Sequence, residues 1–156
     1  MKIITTIIMT LILILTGCHH YQMPSKAPTQ TGQLRVGFDI DDTILFSRDN
    51  FLKAPHMSDD PDHLDYGWVN LHDSLHSVVI EPTAQLIGFL RAQGHEVFFI
   101  TARPGTNGEA VGRFLTRELG FNIVKDQNLF FAPKKLDPIT GKKFTTKHEV
   151  IRDLGL

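Results

Sequence analysis

The 156-residue chain has a single cysteine, Cys18, so it can form no intrachain disulfide and its folded state has to rest on a packed core. Net charge is nearly absent as well. Sixteen Lys and Arg stand against seventeen Asp and Glu, for a formal charge of -1, and no block of like sign occurs. Without a basic field nothing draws the chain onto nucleic acid, and no polyanion partner is expected. Internal repeats and low-complexity tracts are missing beyond the amino-terminal segment. What remains is 42% hydrophobic, 21% charged and 9% aromatic, the composition of one globular domain rather than of a disordered tail or a fibre.

A long membrane-spanning run is lacking too. Met1 and Lys2 make a short positive start, residues 3–15 are almost unbroken Ile, Leu, Thr and Met, and Thr16, Gly17 and Cys18 close the run with small residues. A span needs about 20 apolar residues, and the polar His19 and His20 follow at once, so the pattern is that of an export signal. Leu15-Thr16-Gly17-Cys18 resembles the lipobox of bacterial lipoproteins, which implies removal of residues 1–17 and acylation of Cys18. A plain secretory signal with an incidental cysteine is the alternative. Two or more acyl chains would hold the protein on a membrane, since each buried methylene contributes about 0.8 kcal/mol. The expected location is therefore the bacterial cell envelope, lipid-anchored, periplasmic or at the outer membrane. Residues 18–33, with Pro24, Pro28 and several Ser, Thr and Gln, have no apolar period and read as a tether.

From residue 34 onward, apolar runs alternate with amphipathic stretches. Residues 34–40 and 96–101 predict buried strands, and 129–131 a short third one. A helix is expected from Glu81 to a stop at Gly94, with Ala84, Leu86, Ile87 and Leu90 on one face. Another is expected over 108–119, carrying Ala110, Val111, Phe114, Leu115 and Leu119 and ending at Gly120. The last spans 145–154, with Thr145 or Thr146 as its cap and Val150, Ile151 and Leu154 inward. This order predicts an α/β fold with a parallel sheet covered by helices. Residues 46–79 break the rhythm with little clean periodicity, and read as an insertion over the site or as a long loop.

In such a sheet the chemistry sits at the carboxyl ends of the strands. The first strand runs into Asp39, Asp41 and Thr43. Carboxylates two residues apart on an extended segment share a side, and their repulsion calls for a cation or a proton, most simply a divalent metal. Solvated turn residues are the alternative. The second strand ends in Thr101, Ala102 and Arg103, which place a hydroxyl and a guanidinium at the same edge, or else lead into a turn at Pro104 and Gly105. Lys147 opens the last helix, where the dipole disfavours a cation, and a residue set against local preference hints at function.

The order DxDxT, Thr, Lys resembles the haloacid dehalogenase (HAD) superfamily. VGFDIDDTILFS, the pair Gly67-Trp68, VFFITARP and FTTK are similar to the secreted acid phosphatases, above all the class B nonspecific type. That resemblance implies a HAD-like Rossmannoid sheet with helices on both faces and a small cap insertion at about 46–79. Asp39 would be the nucleophile, Asp41 the general acid and base, and Thr43 a support for the loop. Thr101 and Lys147 would bind phosphoryl oxygens, with Ala102 and Arg103 in the same substrate-binding set. Mg²⁺ would be held by the Asp39 carboxylate and the Asp41 carbonyl, and a mildly acidic working pH is expected. Substrates would be small phosphate monoesters, including nucleotides, and a homo-oligomer is an expected state. Phe46, Phe51, Tyr66 and Trp68 could stack on an aryl or nucleoside leaving group, or pack the insertion onto the sheet. His72 and His76, four apart, could bind a transition metal on a helix, but they have no third ligand at sensible spacing and read as surface or packing residues.

The resemblance also implies a fourth motif, a strand ending in an acidic loop, and the sequence is expected to stop before it, leaving the carboxyl-terminal part of the sheet missing. The readings that follow are an acid phosphatase represented by its amino-terminal portion, a non-catalytic envelope lipoprotein with a degenerate phosphatase domain, and a 5′-nucleotidase or phosphotransferase of the same superfamily.

Overall fold

The computed structural model describes residues 32–57 and 64–156, so the expected signal, Cys18 and nearly all of the tether lie outside the described residues. Within 33–156 the chain builds an α/β unit. Strand β1 (Arg35–Phe38) pairs in parallel with β4 (Glu96–Thr101), which pairs in parallel with β5 (Leu129–Phe131), in the order β1-β4-β5. The register aligns Phe38 with Phe99 and Thr101 with Phe131. Between β1 and β4 lie β2 (Leu45–Phe46), helix α1 (Arg48–Lys53), α2 (Tyr66–His76), β3 (Val78–Val79) and α3 (Glu81–Ala92). Helix α4 (Gly108–Leu119) links β4 to β5, and the hairpin β6 (Lys135–Leu136) and β7 (Lys143–Phe144) precedes α5 (Lys147–Asp153).

β4 is covered on both sides, with Val97, Phe98, Phe99 and Ile100 all buried, as a central parallel strand requires. On one face Val97 and Phe99 join Ile87 of α3 and Val111, Phe114 and Leu115 of α4 in the main core. Helix α4 approaches closely because residue 112 is glycine: a Cβ there would lie 2.8 Å from the Ile123 carbonyl oxygen. Its end at Gly120 is in the left-handed region, φ 75°, as expected of a helix stop.

Three expectations need correcting. β1 ends at Phe38 rather than at residue 40, because the Asp39 carboxylate accepts the Ile40 N–H at 2.8 Å and the chain turns. There the Ile40 carbonyl accepts from Ile44 and Leu45, both at 2.9 Å, and Asp42 takes φ 56°. On α3, Leu86 is exposed, since it lies about 100° around the helix from the inward Ile87. The last helix begins at Lys147, whose N–H donates to the Thr145 hydroxyl at 3.2 Å, and its Ile151 is exposed.

Residues 46–79 hold more regular structure than their pattern suggests. Helix α2 starts where the Asp65 carboxylate accepts the Trp68 N–H at 2.9 Å, and it is inverted relative to an ordinary surface helix. Its buried residues are Gly67, Val69, Asn70 and Asp73, whereas Leu71 and Leu75 face outward. His72 lies flat on Trp68, ring centroids 3.9 Å apart, and His76 continues the stack.

Candidate active site

The ends of β1 and β4 lie side by side because the two strands are parallel and in register, which brings residues 39–41 next to residues 101–103. Thr101 is buried; its hydroxyl accepts the Arg103 N–H at 3.2 Å and faces the Asp41 carboxylate at 3.5 Å. Lys147 reaches the same place from the first turn of α5, with Nζ 2.5 Å from Asp39 Oδ2. That contact accounts for a lysine at a helix start, since the Asp39 charge outweighs the dipole over so short a distance. Thr43 is half-buried in the turn after β1 and donates its N–H to the Ile40 carbonyl at 3.4 Å.

Arg103 is the largest fully enclosed side chain at the site, 1% exposed. It grips Asp41 as a fork, Nε to Oδ2 at 3.0 Å and Nη2 to Oδ1 at 2.5 Å, the geometry in which a guanidinium fixes both oxygens of a carboxylate. On its far side it meets Asp73 of α2, Nη1 to Oδ2 at 2.5 Å. Burial by itself would lower the Arg103 pKa, but the hydrogen bonds and charge of Asp41, and then those of Asp73, more than reverse this and push it above its ordinary value. Asn70 and Ser47 complete the shell, at 3.2 and 3.3 Å from the guanidinium. Ser47, Asn50, Asn70 and Asp73 did not stand out in the sequence. Ser47 and Asn50 carry no signal; for Asn70 and Asp73 the one signal is their spacing with Val69 on a single helical face.

A cavity of about 550 Å³ opens over this edge. Asp41, Ala102, Arg103, Phe51 and Tyr66 line it, and Lys134 and Lys143 also border it. Phe51 and Tyr66 meet edge to face at 6.2 Å. Trp68 and Phe46 are not among the lining residues: Trp68 stacks on the two histidines, and Phe46 is half exposed beside a separate hollow.

The donors here suit a hard divalent cation. Asp39 is 42% exposed with its carboxylate at the strand end, and no backbone N–H among the described residues donates to the Asp41 carbonyl. The Asp41 carboxylate is committed to Arg103, so this residue offers its carbonyl. Among the described residues no group of three or more His, Cys, Asp or Glu is gathered to hold a metal. One carboxylate, one carbonyl and several waters is a set compatible with Mg²⁺.

Two acids follow the first strand of this parallel sheet, a hydroxyl ends its neighbour and a lysine returns on a later helix, all at the carboxyl ends of the strands where open α/β sheets hold their ligands. The profile of the HAD superfamily, subfamily IIIB (acid phosphatase), matches residues 19–152, and the chain belongs to that family. It is 34% identical over 117 residues to the class B acid phosphatase of Citrobacter rodentium (strain ICC168), covering 70% of this chain and 49% of the relative. It is 31% identical over 108 residues to the class B acid phosphatase of Salmonella typhimurium (strain LT2), covering 65% of this chain and 46% of the relative. A Bacillus cereus protein named "Putative nucleotidase" is 27% identical over 135 residues, 68% of this chain and 69% of the relative. The chain thus spans about half the length of the class B acid phosphatases it matches. No helix among the described residues is long and apolar enough to cross a membrane.

Proposed function

We propose that this chain hydrolyses phosphate monoesters through Asp39. The observation that carries the reading is the meeting of Asp39, Asp41, Thr101 and Lys147, drawn from three separate stretches, at one edge of the sheet. A monoester is a dianion, so a carboxylate approaches it only where positive charge offsets the repulsion, and Lys147 is placed to give that charge. An Asp39 oxygen attacks phosphorus and the bond to the leaving oxygen breaks, while a protonated Asp41 passes its proton to that oxygen. Water then attacks the aspartyl-phosphate, the Asp41 carboxylate takes the water proton, and the bond to Asp39 breaks, releasing phosphate. Mg²⁺ bound by the Asp39 carboxylate and Asp41 carbonyl would supply further charge neutralisation at the phosphoryl group.

Two measurements test the metal. EDTA should silence p-nitrophenyl phosphate hydrolysis by the full chain and Mg²⁺ should restore it. Independently of turnover, millimolar Mg²⁺ should raise the thermal midpoint of the wild type and not that of Asp39→Ala, as a ligand bound only by the folded state does. Turnover undiminished in EDTA would remove the metal from the mechanism.

Phe51 and Tyr66, which share the cavity with Asp41, favour esters of flat aromatic or nucleoside alcohols, which also suits the name of the Bacillus cereus relative. Faster turnover of nucleoside monophosphates than of glycerol phosphate would support that preference. A folded chain without any turnover would instead favour a non-catalytic envelope lipoprotein. We propose further that Cys18 of the lipobox-like Leu15-Thr16-Gly17-Cys18 is acylated, which would hold the mature protein on a membrane outside the cytoplasm. Globomycin should block its processing, and a mature form free of acyl groups would refute the anchor.

A further inference from the structure

Asp73 is the one fully buried carboxylate among the described residues, and the proposed reaction does not use it. It stands on α2 behind the guanidinium, on the side away from Asp41. Its Oδ2 accepts from Arg103 Nη1 at 2.5 Å, and its Oδ1 accepts from Asn50 at 2.8 Å, Ser77 at 2.7 Å and Arg103 Nη2 at 3.2 Å. With Asn70 taking a second bond from Nη1 and Asp41 taking those from Nε and Nη2, every guanidinium N–H has a protein acceptor. Arg103 therefore has no N–H to spare for a phosphoryl oxygen unless it gives up one of these partners.

We infer that Asp73 is a positioning residue: by holding the far side of the Arg103 guanidinium, it fixes the Asp41 carboxylate where the leaving oxygen must be met. The inference rests on the phosphatase reading. A buried guanidinium anchored on one side only would have Asp41 as its single anionic neighbour, and a phosphate dianion in the cavity would compete for it. Anchoring on both sides removes that freedom. Asp73 thus makes Arg103 part of the frame for Asp41 rather than a ligand of the substrate. Asn50, fully buried on α1, and Ser77, just past the end of α2, orient Asp73 in turn, so the anchor on the far side of Arg103 is built from residues 46–79.

The test compares the full-length wild type with Asp73→Asn and Ser77→Ala. The readouts are p-nitrophenyl phosphate kinetics and ¹⁵N NMR of the Arg103 Nε–H, the latter assigned by its disappearance in Arg103→Lys. In the wild type this N–H should exchange slowly with water. Asp73→Asn is expected to lower kcat by about 10–100-fold with KM unchanged or lower, and to speed the exchange. Ser77→Ala should move both readouts the same way but less, and it carries the test if Asp73→Asn fails to fold. A folded Asp73→Asn with wild-type kcat overturns the inference, as does a fall in kcat with the Arg103 signal unmoved. If the wild type has no turnover, the phosphatase reading fails by itself. The NMR comparison then decides the anchoring of Arg103: faster exchange in Asp73→Asn supports it and unchanged exchange refutes it.

Discussion

Asp39→Asn is expected to cut p-nitrophenyl phosphate turnover by at least about three orders of magnitude, the scale on which loss of a nucleophile is felt. Folding should be nearly unaffected. The ion pair between Asp39 and Lys147 is half in solvent, with side chains 42% and 23% exposed, and such pairs contribute about 0–1 kcal/mol. The asparagine oxygen can still accept the Ile40 N–H that turns the chain after β1. The variant therefore separates chemistry from stability: steady-state kinetics should collapse while the thermal midpoint holds. Full activity in a folded Asp39→Asn would end the case for an aspartyl-phosphate.

Arg103→Met should have the opposite signature, a large loss of stability. It leaves Asp73, 0% exposed, with two neutral hydrogen-bond donors and no countercharge. Removing one partner of a buried ion pair costs about 3–5 kcal/mol, because the remaining charge stays buried without compensation. Urea unfolding should show this as a lower midpoint. Adding Asp73→Leu should recover much of the loss, since the burial of an uncompensated charge is what costs, and the two changes should be strongly non-additive. A loss below about 1 kcal/mol for Arg103→Met would mean that Asp73 is not sealed from water in solution.

The contrast between these variants also explains what could be read from the amino acids. β4 was legible because a central parallel strand is apolar on both faces and forms an unbroken run, as in Val97 to Ile100, and β5 because Leu129 to Phe131 is a short apolar run. Helix α4 was legible because its apolar residues fall on one face. Asp39, Asp41 and Thr101 could be singled out because they stand at strand ends, and Lys147 because it opens a helix against the dipole; the structure brings the four together, and their part in phosphoryl chemistry is the proposal made above. Helix α2 was not. Its inward face is Gly67, Val69, Asn70 and Asp73 and its outward face carries Leu71 and Leu75, so Val69 is the one large apolar side chain buried on it and no apolar stripe shows. The burial of Asp73 is caused by Arg103, thirty residues further along, and no local pattern records a partner at that distance.

The same pairing limits how this fold can be recombined. Residues 46–79 look like a module that could be exchanged for another on a common sheet, as insertions over α/β sites often are. Here the boundary between insertion and sheet runs through the middle of an ionic cluster, with Asp41 and Arg103 on one side and Asp73, Asn70 and Asn50 on the other. A chimera that carried over the aromatic residues of the cavity but had an apolar residue at position 73 would leave the guanidinium with half its countercharge. Exchange at this site therefore has to move an acid together with the insertion, and loops grafted for a new substrate should succeed only where position 73, or a neighbour able to reach Arg103, remains acidic.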